Sequence, residues 1–270
     1  MKKSLFFSIA LVCSTLLFAQ TPSWKTLNLL PDANGFLPRP ASTWADNQHI
    51  VDIPALQEYD ETIYEETKLL RETDRGIQAE YEESYQALPS RFAEVLEADI
   101  ADANTFSKIN ALVKACVDLK SYHTGKTWNP NHTEEITLRG TKGVIARKRP
   151  RALYSDENYS EEDAGSYPSG HGYAEWLVAS CLAYINPAKS TQIYKIAPEY
   201  GYSRVIIAAH WMTDINAGER LAAAAFPTLV SNPDFLQLLN EARTEYQEYK
   251  NEHPAYETPQ VMIGEEFDWA

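Results

Sequence analysis

Long apolar runs, cysteine and positive charge are all scarce in this chain, and each shortage removes a class of protein. Beyond residue 19 no stretch approaches the roughly 20 apolar residues of a membrane-spanning helix. The most apolar segments, residues 176–185 and 205–209, have the length of buried core elements. An integral membrane protein is therefore disfavoured. Of the 3 cysteines, Cys13 lies in the N-terminal apolar stretch, which leaves Cys116 and Cys181 and at most one disulfide between them. An oxidising compartment permits that bond; a buried free thiol on an apolar helix stripe fits Cys181 equally well. Lys and Arg number 24 against 38 Asp and Glu, for a net charge of −14. So acidic a chain is a poor general partner for nucleic acid or anionic membrane.

What is present begins with a leader. Lys2 and Lys3 precede an apolar run to Phe18, and Ala19 offers a small residue before Gln20, the pattern of a secretory signal peptide over residues 1–19. Val12 before Cys13 is not the small residue of a lipoprotein anchor. The expected location is the periplasm or the medium. Removing the leader takes two lysines and no acids, moving the charge from −14 to −16. With 44% hydrophobic and 11% aromatic residues the rest can bury a full core, and one globular domain over residues 20–270 is expected.

Strand signals are scarce and helical periodicity is frequent, so the fold class is all-α. Prolines 22, 31, 38 and 40 mark residues 20–52 as an irregular arm. Residues 53–87 read as one or two amphipathic helices, 89–100 as another, and 105–122 as a further one with apolar spacing at Ile109, Leu112, Val113, Cys116 and Leu119. Residues 124–133 read as a loop and the acidic 156–163 as a surface loop. Asn232-Pro233-Asp234 is a capped helix start leading to about Lys250; residues 251–270 read as a loose tail. No internal repeat is present.

Three blocks carry chemistry. In the first, Lys142 and Arg149 are seven residues apart, on one face if helical, and Pro150 ends α conformation beside the arginine. In the second, Pro168-Ser169-Gly170-His171 precedes the helical stripe of Ala174, Leu177, Val178, Cys181, Leu182 and Ile185. The backbone amides of that helix start suit an oxyanion. In the third, Ser203-Arg204 is followed by His210 and, four residues on, by Asp214. Arg204 supplies a donor fork for phosphate oxygens, and the carboxylate can hold one imidazole nitrogen and leave the other as nucleophile or acceptor. Taken singly, each block also reads as ordinary structure: surface cations, a capped turn, a helix brace. Eleven specified positions in fixed order are far more specific. Three cations and a helix N-terminus compensate phosphoryl charge, and two histidines from separate blocks can take opposite sides of one phosphorus. A metal site on His171, His210 and Asp214 is the weaker reading, since a fourth ligand is missing and the cations would repel a dication.

The blocks resemble the signature of the type 2 phosphatidic acid phosphatase superfamily, and Gly165-Ser166-Tyr167-Pro168-Ser169-Gly170-His171 resembles its class A bacterial non-specific acid phosphatases. The gaps of 17 residues after Pro150 and 31 after His171 suit that pattern. Leu37-Pro38, residues 71–76 and Asn232-Pro233 extend the likeness over roughly residues 25–250. The resemblance implies a helical-bundle core of the acid phosphatase/vanadium haloperoxidase type, export, and hydrolysis of small phosphate monoesters with broad specificity at acid pH, with no cofactor or metal; vanadate, which can adopt the five-coordinate geometry of the transition state, is expected to inhibit. It further implies His210 as the nucleophile that forms a phosphohistidine, Asp214 as its orienting partner and His171 as the acid for the leaving oxygen. Lys142, Arg149, Ser169, Gly170 and Arg204 would hold the phosphoryl group. Two departures bear on pocket shape: Gly172 stands where threonine is usual, and Met212-Thr213 where glutamine and serine commonly follow His-Trp. The rival readings are a vanadium-dependent haloperoxidase, for which the mature chain is short, and a non-enzymatic exported phosphate-binding protein, which has no need of two histidines and a carboxylate. The preferred ester and any homo-oligomer are not legible in the sequence.

Overall fold

The computed structural model describes residues 54–124, 148–154 and 166–254. Among them every regular element is helical, and no sheet forms. The helices are α1 (Pro54–Lys68), α2 (Asp74–Tyr81), α3 (Ala93–Leu96), α4 (Ser107–His123), α5 (Pro150–Tyr154), α6 (Gly170–Ile185), α7 (Ser190–Ile206), α8 (Met212–Ser231) and α9 (Pro233–Glu252). The leader, the N-terminal arm, Lys142, the loop at 125–133, the acidic stretch 156–163 and the tail beyond 254 lie outside the described residues.

Helix α6 is the axis of the bundle. It packs most extensively against α8 and α7, and also against α4 and α9. Only His171, Trp176 and Tyr184 of its 16 residues escape full burial, as expected of a helix that is apolar around its circumference. Leu177, Val178, Cys181, Leu182 and Ile185 meet Ile109, Leu112, Val113, Cys116 and Leu119 of α4 in one cluster that also takes in Leu221, Ala225 and Leu229 of α8 and Phe235 and Leu239 of α9. The apolar spacing read in the sequence thus faces the core. Cys116 and Cys181 are buried free thiols with their Sγ atoms 3.7 Å apart.

Close approach of α8 to the start of α6 depends on two glycines. A Cβ on Gly218 would sit 2.3 Å from the Ser169 carbonyl oxygen, and one on Gly172 would sit 2.7 Å from the Ile215 carbonyl oxygen. Gly172, a departure from the family pattern, therefore lies where the α8 backbone leaves no room for a side chain.

One of these helix expectations changes on folding. The helix expected over 89–100 is a 3₁₀ turn (Pro89–Phe92) followed by the single turn α3. Glu97 takes left-handed φ 51, and the Ala98 N–H donates back to the Ala93 carbonyl, a glycine-type stop made by a glutamate. Lys189 and Lys250 hold its carboxylate at 3.0 and 3.1 Å. In the C-terminal region α9 begins as expected: Asn232 Oδ1 accepts from Asp234 and Phe235 N–H, with Pro233 in the first turn.

Candidate active site

The second and third blocks, with Arg149 of the first, converge where α6 starts, α7 ends and α8 starts. Ser169 caps α6 by accepting from Gly172 N–H at 3.2 Å, and its own N–H donates to the Asp214 carbonyl at 2.9 Å. The Ser169-Gly170-His171 turn is thereby tied to α8, with the positive end of the α6 dipole at the meeting point.

Helix α7 brings Arg204 in its last turn and then stops. Ala208 adopts left-handed φ 57, and the N–H groups of Ala209 and His210 both donate to the Arg204 carbonyl at 2.8 and 3.2 Å. This reversal returns His210 beside the helix end. The His210–Asp214 pair is consequently not two positions on one helix: α8 begins at Met212, so His210 precedes it, and Asp214 reaches back from the third helical position. Asp214 Oδ2 accepts from Trp211 N–H at 2.8 Å and from the Ser166 hydroxyl, and lies 3.4 Å from His210 Nδ1.

The tautomer of His210 follows from its neighbours. A guanidinium only donates, and Arg149 Nη1 lies 3.0 Å from His210 Nε2. A neutral imidazole therefore accepts at Nε2 and carries its proton on Nδ1, toward the carboxylate. Arg149 Nη1 also donates to the Ala209 carbonyl at 2.5 Å. Lys148 and Arg149 are not helical, and Pro150 opens α5 rather than closing a described helix, the position where its missing N–H costs least. The segment is pinned by Arg151 N–H to the Ala208 carbonyl and by Trp211 Nε1 to the Lys148 carbonyl, both 2.9 Å.

Arg204 is 1% exposed. Its Nη2 donates to the Ala79 carbonyl, while Nε and Nη1 are buried with no hydrogen-bond partner among the described residues. Burial pushes its pKa down, against the opposing influence of Tyr200, Glu83 and Glu82. Buried donors of this kind carry a large desolvation cost unless an acceptor meets them, and phosphoryl oxygens are suitable acceptors.

His171 faces His210 with ring centroids 6.4 Å apart. Its Nδ1 lies 3.2 Å from the Tyr85 hydroxyl and its Nε2 3.1 Å from the Glu83 carbonyl. Residues 82–85 were not singled out in the sequence, and they carry no local motif. Their anchor is Glu82, a buried carboxylate that pairs with Arg91, lies 3.8 Å from Arg75 and accepts from the Ser203 hydroxyl. Ser203 thus fixes the 82–85 segment against α7. Ser166, also unassigned by sequence reasoning, stood inside the quoted Gly165–His171 stretch. Thr213, the other departure from the family pattern, gives its N–H to Asp60 at 3.0 Å and its hydroxyl to the same carboxylate, so Asp60 of α1 caps α8. Lys142 lies outside the described residues. Among those described, no three His, Cys, Asp or Glu side chains form a metal-binding group, and no helix is long and apolar enough to cross a membrane.

The PAP2 superfamily model matches residues 133–234, a span that includes all three blocks. The chain is 33% identical over 200 residues to a non-specific acid phosphatase of Providencia stuartii, covering 71% of this chain and 75% of that protein. It is 31% identical over 179 residues to a non-specific acid phosphatase of Salmonella typhi, covering 61% and 70%. An acid phosphatase of Zymomonas mobilis is 33% identical over 119 residues, 42% of this chain and 45% of that protein.

Proposed function

The chain belongs to the non-specific acid phosphatases of the PAP2 superfamily, and on that footing we propose that it hydrolyses phosphate monoesters through a phosphohistidine on His210 in an exported compartment. The enzyme is a phosphoric monoester hydrolase of the acid phosphatase type. Broad substrate range, export by way of residues 1–19, independence of metal and inhibition by vanadate belong to the proposal.

The observation that carries the mechanism is the state of His210: Nδ1 faces Asp214 at 3.4 Å and Nε2 faces Arg149 at 3.0 Å. Asp214 holds the proton on Nδ1 and stabilises the positive charge that grows on the ring as Nε2 attacks phosphorus. Arg149, Arg204, Lys142 and the α6 N-terminus neutralise the equatorial oxygens. As the Nε2–P bond forms, the P–O bond to the leaving group breaks, and protonated His171 gives that oxygen its proton. In the second half, neutral His171 takes a proton from a water. The water oxygen attacks phosphorus, the P–N bond breaks, and phosphate departs with both histidines restored. His171 must start protonated, and free histidine titrates near ~6.5, which favours acid pH.

The test is hydrolysis of nitrophenyl phosphate and glycerol phosphate in the presence of a strong chelator. Turnover is expected to persist for the native enzyme, with competitive inhibition by vanadate, and to vanish on both esters for His210→Ala. Loss on chelation that a divalent metal restores contradicts the mechanism.

A further inference from the structure

Each site histidine has its Nδ1 facing another side chain, and the two Nδ1 partners differ in charge. His210 Nδ1 faces the carboxylate of Asp214. His171 Nδ1 faces the phenol of Tyr85 at 3.2 Å, and the two rings stack with centroids 4.2 Å apart and 16° between planes. We propose that Tyr85 is a positioning residue for the acid step, a neutral counterpart of Asp214 that keeps His171 Nδ1 occupied so that Nε2 serves the leaving oxygen. The proposal rests on His171 being the general acid.

The chemistry supports a division of labour. A carboxylate beside an imidazole stabilises the cation, which suits a nucleophile that becomes positive during attack. A phenol hydroxyl both donates and accepts, so it bonds His171 in either protonation state without trapping the proton. Burial keeps Tyr85 a phenol by pushing its pKa up, even with Arg204 and Arg149 close by. Its ring is fixed: Lys120 of α4 lies over it at 4.2 Å from the centroid, and a Cβ on Gly170 would come within 3.2 Å of the Tyr85 oxygen and 3.3 Å of Lys120 Cδ. The phenol is therefore wedged against the phosphate-binding turn itself. Nε2 lies 3.1 Å from the Glu83 carbonyl. That backbone oxygen accepts the Nε2 proton at rest, and a leaving-group oxygen can replace it while Tyr85 keeps Nδ1.

The experiment uses Tyr85→Phe, which keeps the stacked ring and removes only the hydroxyl, beside His171→Ala. Both are assayed on nitrophenyl phosphate, with a good leaving group, and glycerol phosphate, with a poor one, together with thermal melts. Loss of one hydrogen bond corresponds to a rate effect of about tenfold. Tyr85→Phe is expected to lower kcat on glycerol phosphate by about tenfold with KM unchanged, to leave nitrophenyl phosphate within about twofold, and to melt close to the native protein. Equal losses on both esters, or no loss on either, overturn the role given to Tyr85. If His171→Ala itself loses activity equally on both esters, the acid assignment falls and this inference with it. If only His171→Ala discriminates between the esters, the acid assignment stands and the inference alone fails.

Discussion

Asp214 serves three groups through one oxygen: the Ser166 hydroxyl, the Trp211 N–H and the imidazole of His210. The arrangement makes the carboxylate both a helix cap and the partner of His210, the proposed nucleophile. Asp214→Asn, which can present an amide where the imidazole needs an acceptor, is expected to lower kcat by roughly 10²-fold or more with little change in KM. Ser166→Ala removes one of the three ties and is expected to cost about tenfold, measured by steady-state kinetics. Equal kcat in the Ser166 variant would mean that Trp211 and the α8 backbone hold Asp214 without it. His171, Ser169, Gly170, Arg204, His210 and Asp214 were legible in the sequence because their residue types and order already imply an anion and two proton carriers. Tyr85, Glu83 and Asp60 were not. Each reaches the site from a helix or turn distant in sequence, and its role depends on which surface that segment packs against, which no short spacing encodes.

Helices α6 and α8 show the same distinction. The apolar stripe of α6 and the Asn232 cap of α9 follow from local periodicity and capping, and both are found. The one-turn α3 was misread as part of a longer helix, because the left-handed stop at Glu97 is held by Lys189 and Lys250 from other elements rather than by a local glycine signal. The glycines at the α6–α8 contact have a measurable role: Gly218→Ala would drive a methyl group against the Ser169 carbonyl. Overpacking costs about 1–3 kcal/mol, so a lowered melting temperature is expected, accompanied by a higher KM because the displaced atom belongs to the Ser169-Gly170-His171 turn proposed to bind phosphate. An unchanged melting temperature and KM would show that α8 can shift without disturbing the turn.

Between the same helices lies a buried acid. Glu175 of α6 is held well above the usual carboxylate range, chiefly by burial and then by the neighbouring Glu219 of α8, whose own pKa burial also raises. A Cβ on Gly201 of α7 would fall 2.4 Å from Glu175 Oε1, so the carboxyl is enclosed by three helices. A carboxyl whose folded pKa lies above its unfolded value contributes stability that is complete below the unfolded value and is lost as pH rises toward the folded one. The fold is therefore expected to weaken above about pH 4.3 by up to about 1.4 kcal/mol per pH unit from this group. Denaturant titrations of Glu175→Gln should lack that slope; a parallel decline in native and variant would assign it to other groups.

Taken together, the acidic chain sets two arginines among the residues of its candidate site. The formal net charge is −14 with a pI near 4.9, yet Arg149 and Arg204 stand beside the α6 N-terminus and two histidines. An acidic chain whose cations sit together at one site favours small anions over polyanions that bind across a face. Phosphate monoesters match that description. The central claim is that His210 Nε2 takes the phosphoryl group. Phosphohistidine is acid-labile, so the direct measurement is an alkaline quench during turnover of a labelled phosphate ester, followed by peptide mapping. The account predicts label on the peptide containing His210 in the native enzyme and none in His210→Ala. Label that persists in His210→Ala, or that maps to another side chain in the native enzyme, would contradict it.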